Sequence, residues 1–127
     1  MVEDNPDDEA ITLRALRRCG LSLTVRVARD GEEALDLLRR EEGAFWTPDL
    51  VLSDLKMPRV AGDELLREAR SDARLAGVPF VVLSSSSEPA DEARCMGLGA
   101  SEYAVKPIGF EEYGRRVCEL ARRWLGG

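Results

Sequence analysis

The sequence predicts an α/β fold in which helices pack on both faces of a parallel sheet. Short apolar runs typical of buried strands alternate along the chain with longer segments of helical periodicity. Such alternation implies parallel pairing through right-handed crossovers, which builds a doubly wound, three-layer sheet. The 127 residues, 44% of them hydrophobic, suffice for one domain with its own core, and we see no linker or repeat.

The first predicted helix follows the acidic start of the chain. Asn5 is a capping residue, Pro6 suits the first helical turn, and Gly20 ends the helical pattern. Asp7 and Asp8 favour the positive end of the helix dipole, and we interpret both as dipole charges only.

A strand, a helix and a second strand are predicted next. Residues 23–27 alternate between apolar and polar positions, which predicts a strand. A turn at Asp30 and Gly31 leads into the second helix, which uses Ala34, Leu35 and Leu38. Residues 50–53 start with three successive apolar positions, as expected of a strand covered on both faces.

The second half of the chain continues the alternation. Helices are predicted over residues 62–72, 89–99 and 110–125, and strands over residues 78–84 and 101–105. The last helix has a single apolar stripe, formed by Phe110, Tyr113, Val117, Leu120 and Trp124.

Composition excludes several classes of function. The net charge of −6 argues against nucleic-acid binding, which requires positive surface. No apolar run approaches the roughly 18 residues of a membrane span, and the acidic start is not a targeting signal. We therefore expect no nucleic-acid partner, no membrane contact and a cytoplasmic location.

Histidine is absent, which excludes Ser-His catalysis and most transition-metal sites. Cys19, Cys95 and Cys118 are odd in number and widely spaced, so we expect buried free thiols. Chemistry in this chain must therefore use carboxylates, hydroxyls and lysine.

Acidic residues and one lysine follow the predicted strands. Taken alone, Asp54 would be a turn or capping residue. In an open α/β sheet, however, ligands bind at the carboxyl ends of the strands. Glu3 and Asp4 precede the first helix, and Asp54, Ser84 and Lys106 lie at or directly after the ends of three predicted strands. The three acids require a cation, and oxygen ligands suit Mg²⁺.

Carboxylate, Mg²⁺, hydroxyl and lysine together are the groups used in phosphoryl transfer to aspartate. The carboxylate acts as nucleophile, while the metal and the lysine neutralise the phosphoryl oxygens. This chemistry needs positioning and charge neutralisation, so the absence of histidine is no obstacle.

Four stretches of the chain resemble a known family in this order: "VEDN" at residues 2–5, "SDLKMPRVAG" at 53–62, "VVLSSS" at 81–86 and "YAVKP" at 103–107. Over nearly its whole length the sequence resembles a receiver domain of a two-component response regulator. The "EDNPDDEAITLRAL" stretch and the "FEEYGRRV" tail are further similar to single-domain regulators of bacterial phytochrome-type histidine kinases. The resemblance implies that residues 1–127 form a receiver domain with no output domain.

The resemblance also implies roles for individual residues. Asp54 would accept a phosphoryl group from a kinase phosphohistidine, and Lys106 would contact that group. Ser84 would be the switch hydroxyl and Tyr103 the switch aromatic; the alternative for Tyr103 is a simple half-buried strand aromatic, and we favour the switch role. Such a receiver assists its own phosphorylation and hydrolysis but is not an enzyme in the ordinary sense.

For the metal, the family pattern implies direct ligation of Mg²⁺ by Asp4 and Asp54, with Glu3 acting through water. The backbone carbonyl of Lys56 would complete the protein ligands. The pattern also implies a cis peptide bond between Lys106 and Pro107.

The family's sheet is five-stranded with strand order 2-1-3-4-5, and its first strand lies in the middle. Here only Met1 and Val2 precede Glu3, so this strand is truncated. We expect either that the natural start lies a few apolar residues upstream, or that residues 1–3 form a short strand whose gap another segment fills.

Two other functions remain open at the level of sequence. One is a Mg²⁺-dependent aspartyl phosphatase, although such enzymes have a second aspartate where Lys56 stands, two residues after Asp54. The other is a pseudo-receiver that binds partners without phosphorylation. Homodimerisation through the fourth helix, the last strand and the last helix is a further expectation, based on Phe110, Tyr113 and Trp124. The alternative is that these three aromatics pack in the monomer core.

Overall fold

In the computed structural model, which describes residues 1–39, 47–56 and 61–126, helices and strands alternate as predicted from the second helix onward. The helices are α1 (Pro6–Arg18), α2 (Gly31–Arg39), α3 (Gly62–Ser71), α4 (Pro89–Gly97) and α5 (Phe110–Leu125). The strands are β1 (Val51–Ser53), β2 (Phe80–Ser84) and β3 (Glu102–Val105). They form a parallel sheet in the order β1-β2-β3. Among the described helices, none is long and apolar enough to cross a membrane.

The sheet is covered on both faces, and β2 shows this most clearly. All five β2 residues are buried. Phe80 and Val82 pack into a core with α2, α3 and α4, whereas Val81 and Leu83 pack into a second core with α1 and α5. This alternation of side chains between two cores, with helices on each face, confirms the predicted doubly wound architecture.

The N-terminal segment, residues 1–3, occupies the place of the truncated strand. Val2 forms isolated parallel bridges to Ala28 on one side and Ser53 on the other. The Val2 amide donates to the Leu52 carbonyl at 2.8 Å, and the Ala28 amide donates to the Met1 carbonyl at 2.9 Å. The segment therefore lies between Ala28 and β1, as expected of a short strand.

The prediction of a strand over residues 23–27 was wrong for this structure, in which these residues are not in a strand. The N-terminal segment pairs with this part of the chain only through the single bridge between Val2 and Ala28. The structure thus shows three strands and the Val2 bridges among the described residues, rather than five full strands.

The predicted start and end signals of α1 are confirmed. Asn5 caps the helix, and its side-chain oxygen accepts from the Asp7 amide at 2.9 Å and the Asp8 amide at 3.2 Å. Gly20 follows the helix with φ of +78°, a conformation that glycine adopts without a Cβ clash.

The expectation of three free thiols was wrong for two of them. Cys19, at the end of α1, and Cys118, in α5, form a disulfide with a Cα–Cα distance of 5.4 Å. The packing of α1 against α5 brings together two cysteines that lie 99 residues apart in sequence. Cys95 is a buried free thiol, as predicted.

The apolar stripe of α5 is buried over most of its length. Tyr113, Val117 and Leu120 lie in the core, whereas Phe110 at the first turn is 75% exposed. Trp124 is half-buried and donates from its indole nitrogen to Glu102 at 2.8 Å. Of the three aromatics in the predicted stripe, Tyr113 therefore packs in the core, whereas Phe110 at the start of the helix does not.

Candidate functional site

Asp54 lies directly after β1, and backbone contacts hold it in place. Its amide donates to the Val2 carbonyl at 2.9 Å, and its side-chain Oδ1 accepts from the Leu55 amide at 2.7 Å. The start of α3 packs so closely that a Cβ on Gly62 would overlap the Asp54 carbonyl oxygen and lie 2.8 Å from Leu55 Cα. Glycine at position 62 therefore allows the backbone around Asp54 to adopt this path.

Glu3 and Asp4 reach the same edge of the sheet through the N-terminal segment. The Glu3 amide donates to the Ala28 carbonyl at 2.9 Å, and its side chain is buried. Asp4 is exposed. Carboxylate oxygens of Glu3, Asp4 and Asp54 all lie within 4.8 Å of one another. The predicted meeting of these three acids is observed in the structure.

This donor set fits a hard divalent cation. Three carboxylates at such distances repel one another, and a cation with oxygen ligands removes the repulsion. The exposure of Asp4 leaves one side of the cluster open to water, as Mg²⁺ prefers because it keeps several of its waters. Lys56 lies two residues after Asp54 with an exposed side chain, and ligation by its backbone carbonyl stays a prediction.

Lys106 enters the site from the end of β3. Its amide donates to the Ser84 carbonyl at 2.7 Å, which fixes the backbone beside β2. Its Nζ donates to Glu3 Oε2 at 2.9 Å, to Asp8 Oδ2 at 2.9 Å and to Asp54 Oδ2 at 3.2 Å. The Lys106 side chain is only 8% exposed, so these ion pairs are largely shielded from water.

The burial of this cluster shifts the pKa values of its members. Burial raises the pKa of Glu3 to about 7, with the nearby charge of Asp54 acting in the same direction and Lys106 opposing both. For Lys106, burial disfavours the charged form, but hydrogen bonds to Glu3 and Asp8 and the charge of Asp54 outweigh burial and raise its pKa. Lys106 is thus a charged ammonium at neutral pH in this site.

Asp8 is a site residue that sequence reasoning missed. We interpreted it as a dipole charge, yet its carboxylate pairs with Lys106 across 98 residues of sequence. The sequence spacing gave no signal of this contact, because Asp4 precedes the Asn5 cap and lies outside α1, so the i,i+4 relation of a helix does not connect it with Asp8. Asp7, by contrast, is exposed.

Ser84 and Tyr103 belong to one hydrogen-bonded group that is centred on Ser86. Ser84 ends β2, is buried, and accepts at its Oγ from the Ser86 amide at 3.1 Å. The Tyr103 hydroxyl donates to the Ser86 carbonyl at 2.8 Å. The Ser86 hydroxyl donates in turn to Asp91 in α4 at 2.5 Å. The two predicted switch residues are therefore connected, and their roles stay predictions.

The implied cis peptide between Lys106 and Pro107 is not observed, because none of the described peptide bonds is cis. The trans form is the lower in free energy for a bond to proline, by about 0.5–1 kcal/mol. In this conformation Lys106 already reaches its three carboxylates.

Tyr113 of α5 is a second residue that sequence reasoning did not place at the site. It lies beneath the acidic cluster, where a cavity of about 10 Å³ is lined by Tyr113, Thr12, Ser53, Glu3 and Asp54, among others. Burial raises the pKa of Tyr113 to about 12. The helical stripe predicted its burial, but the sequence pattern carries no signal of its proximity to Asp54.

Comparison with known proteins agrees with this geometry. Residues 1–117 match the family model described as the response regulator receiver domain. The probable methanogenesis regulatory protein FilR2 of Methanothrix harundinacea (strain 6Ac) is 38% identical over 127 residues, covering 99% of this chain and 82% of that protein.

Two solved structures are also similar. The phosphorylated cyanobacterial phytochrome response regulator RcpA has a TM-score of 0.91 and 34% identity, over 98% of this chain and 90% of that one. The Mn²⁺-bound form of the response regulator Rcp1 has a TM-score of 0.89 and 27% identity, over 98% and 91% of the two chains. The family match spans most of the chain and includes every residue of the acidic cluster. The chain therefore belongs to the response regulator receiver domain family of two-component signalling, within which it resembles phytochrome response regulators.

Proposed function

We propose that this receiver accepts a phosphoryl group on Asp54 from a sensor histidine kinase and passes the signal on through a change in its partner-binding face. The observation that supports this most directly is the position of Asp54 between two further carboxylates and the Lys106 ammonium. That arrangement supplies a nucleophile together with the charges that neutralise a phosphoryl group.

In the proposed transfer, a carboxylate oxygen of Asp54 attacks the phosphorus atom of a kinase phosphohistidine. The new P–O bond forms as the P–N bond breaks, and the bonding electron pair returns to the imidazole nitrogen. The product is an acyl phosphate on Asp54. The Leu55 amide, at 2.7 Å from Oδ1, orients the carboxylate, while Lys106 offsets negative charge on the phosphoryl oxygens.

Mg²⁺ is the proposed cofactor, held by Asp4 and Asp54 directly, by Glu3 through water and by the backbone carbonyl of Lys56. When bound, it supplies positive charge that offsets the repulsion between carboxylates and phosphoryl oxygens. A Mn²⁺-bound form is known for the similar regulator Rcp1, which supports a divalent cation at the acidic cluster.

Ser84 and Tyr103 are the proposed switch residues. Ser84 ends β2, where its backbone carbonyl accepts from the Lys106 amide and its hydroxyl oxygen accepts from the Ser86 amide, and the Tyr103 hydroxyl donates to the Ser86 carbonyl. A phosphoryl group that attracted the Ser84 hydroxyl would shift this loop and with it the Tyr103 side chain. The signal would then reach the face formed by α4, β3 and α5.

That face is also the proposed surface for homodimerisation. Its exposed apolar side chains include Met96, Val105 and Phe110, whereas Tyr113 lies in the core and Trp124 is half-buried. Of the three aromatics that suggested dimerisation, Phe110 is therefore the one available for contact with another chain. A phytochrome-type kinase as the phosphoryl donor is proposed from the similarity to RcpA.

The other two candidate functions have less support. A phosphatase of the kind considered needs a second aspartate two residues after the nucleophile, where this chain has Lys56. A pseudo-receiver has no need of the acidic cluster and its lysine, both of which are intact here.

The test is incubation with acetyl phosphate and Mg²⁺, read by intact mass. We expect the wild-type chain to gain one phosphoryl group and Asp54→Asn to gain none. The matched control is Asp49→Asn, an exposed aspartate before the other end of β1, which should label like the wild type. Stoichiometric labelling of Asp54→Asn would refute Asp54 as the acceptor, and a wild-type chain that gains no mass would favour the pseudo-receiver.

A further inference from the structure

The ammonium of Lys106 has no spare hydrogen-bond donor. An ammonium offers three N–H donors. Three carboxylates take them: Glu3 at 2.9 Å, Asp8 at 2.9 Å and Asp54 at 3.2 Å. A phosphoryl oxygen can therefore obtain a donor from Lys106 only if one of these carboxylates gives it up.

The three carboxylates are not equivalent. Glu3 and Asp54 belong to the oxygen cluster that also contains Asp4, so a cation bound there is attracted to both. Asp8 is not a member of that cluster, and it contacts Lys106 from the first turn of α1 with 25% of its side chain exposed. Asp8 thus adds a negative charge and occupies one N–H donor of Lys106, but it adds no ligand to the cluster of Glu3, Asp4 and Asp54.

We propose that Asp8 is a positioning residue that acts through Lys106 and lowers the affinity of the site for a phosphoryl group on Asp54. The inference rests on the function proposed above. Asp8 holds one ammonium donor on α1, and its charge repels an incoming dianion. The same charge attracts a divalent cation, so Asp8 shifts the balance of the site toward the metal and away from the phosphoryl group.

The test uses Asp8→Asn, which keeps the shape of the side chain and removes its charge. Beryllofluoride, a mimic of the phosphoryl group, is titrated by calorimetry at saturating Mg²⁺, and Mg²⁺ is titrated separately. We expect the Kd for beryllofluoride to fall about three- to tenfold and the Kd for Mg²⁺ alone to rise about two- to threefold. Changes in opposite directions are the signature, because a loosened site would bind both ligands more weakly.

Asp7→Asn is the matched control. It removes the same charge from the same helical turn, and the Asp7 side chain is exposed. We expect both constants to stay within about twofold of the wild type. If Asp7→Asn reproduces the effect of Asp8→Asn, the cause is net charge, and the assignment to Asp8 is overturned. Asp8→Ser, measured in parallel, must shift both constants in the same directions as Asp8→Asn, and a shift in the reverse direction overturns the proposal.

The contact between Asp8 and Lys106 can also be tested in the absence of metal. Lys56 is the other lysine of the chain, and it is exposed, so it serves as an internal reference for amine labelling. Asp8→Asn removes one of three partners of Lys106, and we expect labelling of Lys106 relative to Lys56 to rise at least about twofold. An unchanged ratio would overturn the role of Asp8.

Failure of this inference is distinguishable from failure of the proposed function. If the wild-type chain binds beryllofluoride with Mg²⁺ and Asp8→Asn binds it equally well, only the role of Asp8 is wrong. If the wild-type chain binds none, both proposals are wrong.

Discussion

The two ends of the N-terminal segment, residues 1–3, have very different surroundings. At the carboxyl end, the Glu3 amide bonds to Ala28, the Asp54 amide bonds to Val2, and a cluster of charged side chains follows. At the amino end, the segment opens into a cavity of about 390 Å³. Its apolar lining includes Leu23, Val25, Leu37, Leu38, Leu50 and Leu125.

Met1 lines this cavity, and its amine donates to the Arg26 carbonyl at 2.7 Å. Burial lowers the pKa of this amine to about 6, because the charged form loses hydration. The acids at the carboxyl end of the segment are thus paired with Lys106, whereas at the amino end burial against apolar side chains disfavours the charged form of the amine.

The difference teaches that the chemical site and the packing of the sheet depend on different parts of the segment. Backbone pairing at Val2 and Glu3 is enough to bring Glu3 and Asp4 to Asp54. Full packing between residues 23–27 and β1 would need apolar residues further upstream. Changes at the carboxyl end should therefore affect both ligand binding and stability, and changes at the amino end should affect stability with a smaller effect.

Replacing Lys106 with Met should have the largest effect, because it removes the ammonium that pairs with three carboxylates at the carboxyl end. Removing one partner of a buried ion pair costs about 3–5 kcal/mol. We expect a smaller loss of about 2–3 kcal/mol, because Asp8 is partly exposed and Glu3 has a raised pKa and can take up a proton. Urea unfolding with and without Mg²⁺ checks this, since the cation should restore part of the loss.

The control for this variant is Lys56→Met, at an exposed lysine whose Nζ is 4.0 Å from Asp91. Its effect on unfolding should stay below about 0.5 kcal/mol. Equal losses of unfolding free energy in the two lysine variants would contradict the inference that the buried ion pairs of Lys106 stabilise the fold more than an exposed ion pair does.

Gly62→Ala should have the next largest effect. The added methyl group would overlap the Asp54 carbonyl, so α3 or the Asp54 backbone must move, at about 1–2 kcal/mol. Because Asp54 then leaves its position, phosphorylation by acetyl phosphate should slow on the order of tenfold. Gly77→Ala, where a Cβ meets no atom within 4 Å, should label at the wild-type rate. A Gly62→Ala chain with wild-type stability and labelling would show that the close contact does not constrain Asp54.

An extension at the amino end should have the smallest effect on stability of the three changes. Four apolar residues added before Met1 would turn the ammonium into a peptide group and give residues 23–27 a pairing partner. We expect a gain of about 1 kcal/mol, seen as a rise of a few degrees in Tm. A Gly/Ser extension of equal length also removes the terminal amine but adds no apolar side chains, so it should give a smaller gain, and equal results from the two extensions would contradict the idea that the cavity accepts an apolar strand.

The sequence was most informative where structure depends on nearby residues. The Asn5 cap, the Gly20 stop and the alternation of β2 between two cores follow from local spacing, and all were predicted. The meeting of Glu3, Asp4 and Asp54 was predicted because parallel strands end at a common edge.

Contacts between distant residues were beyond such reasoning. The disulfide between Cys19 and Cys118 depends on how α1 lies against α5. Arg70 of α3 donates to the carbonyls of Leu75, Ala76, Val78 and Gly99 and so connects two loops. The spacing of residues in the sequence does not predict these contacts. Asp8 was missed for the same reason, since its partner lies 98 residues away. For the long Arg70 side chain, and for residues on helices whose packing the sequence does not give, several different partners are equally compatible with the sequence.

The single bridge at Val2 has a consequence for local opening. Segments held by few hydrogen bonds open locally with little free energy, and hydrogen exchange reports such events. Here the amide of Asp54 has its acceptor on Val2, so detachment of residues 1–3 exposes that amide to solvent exchange. The protection of the Asp54 amide is therefore limited by the lifetime of the contact with residues 1–3, although Asp54 itself directly follows the buried strand β1.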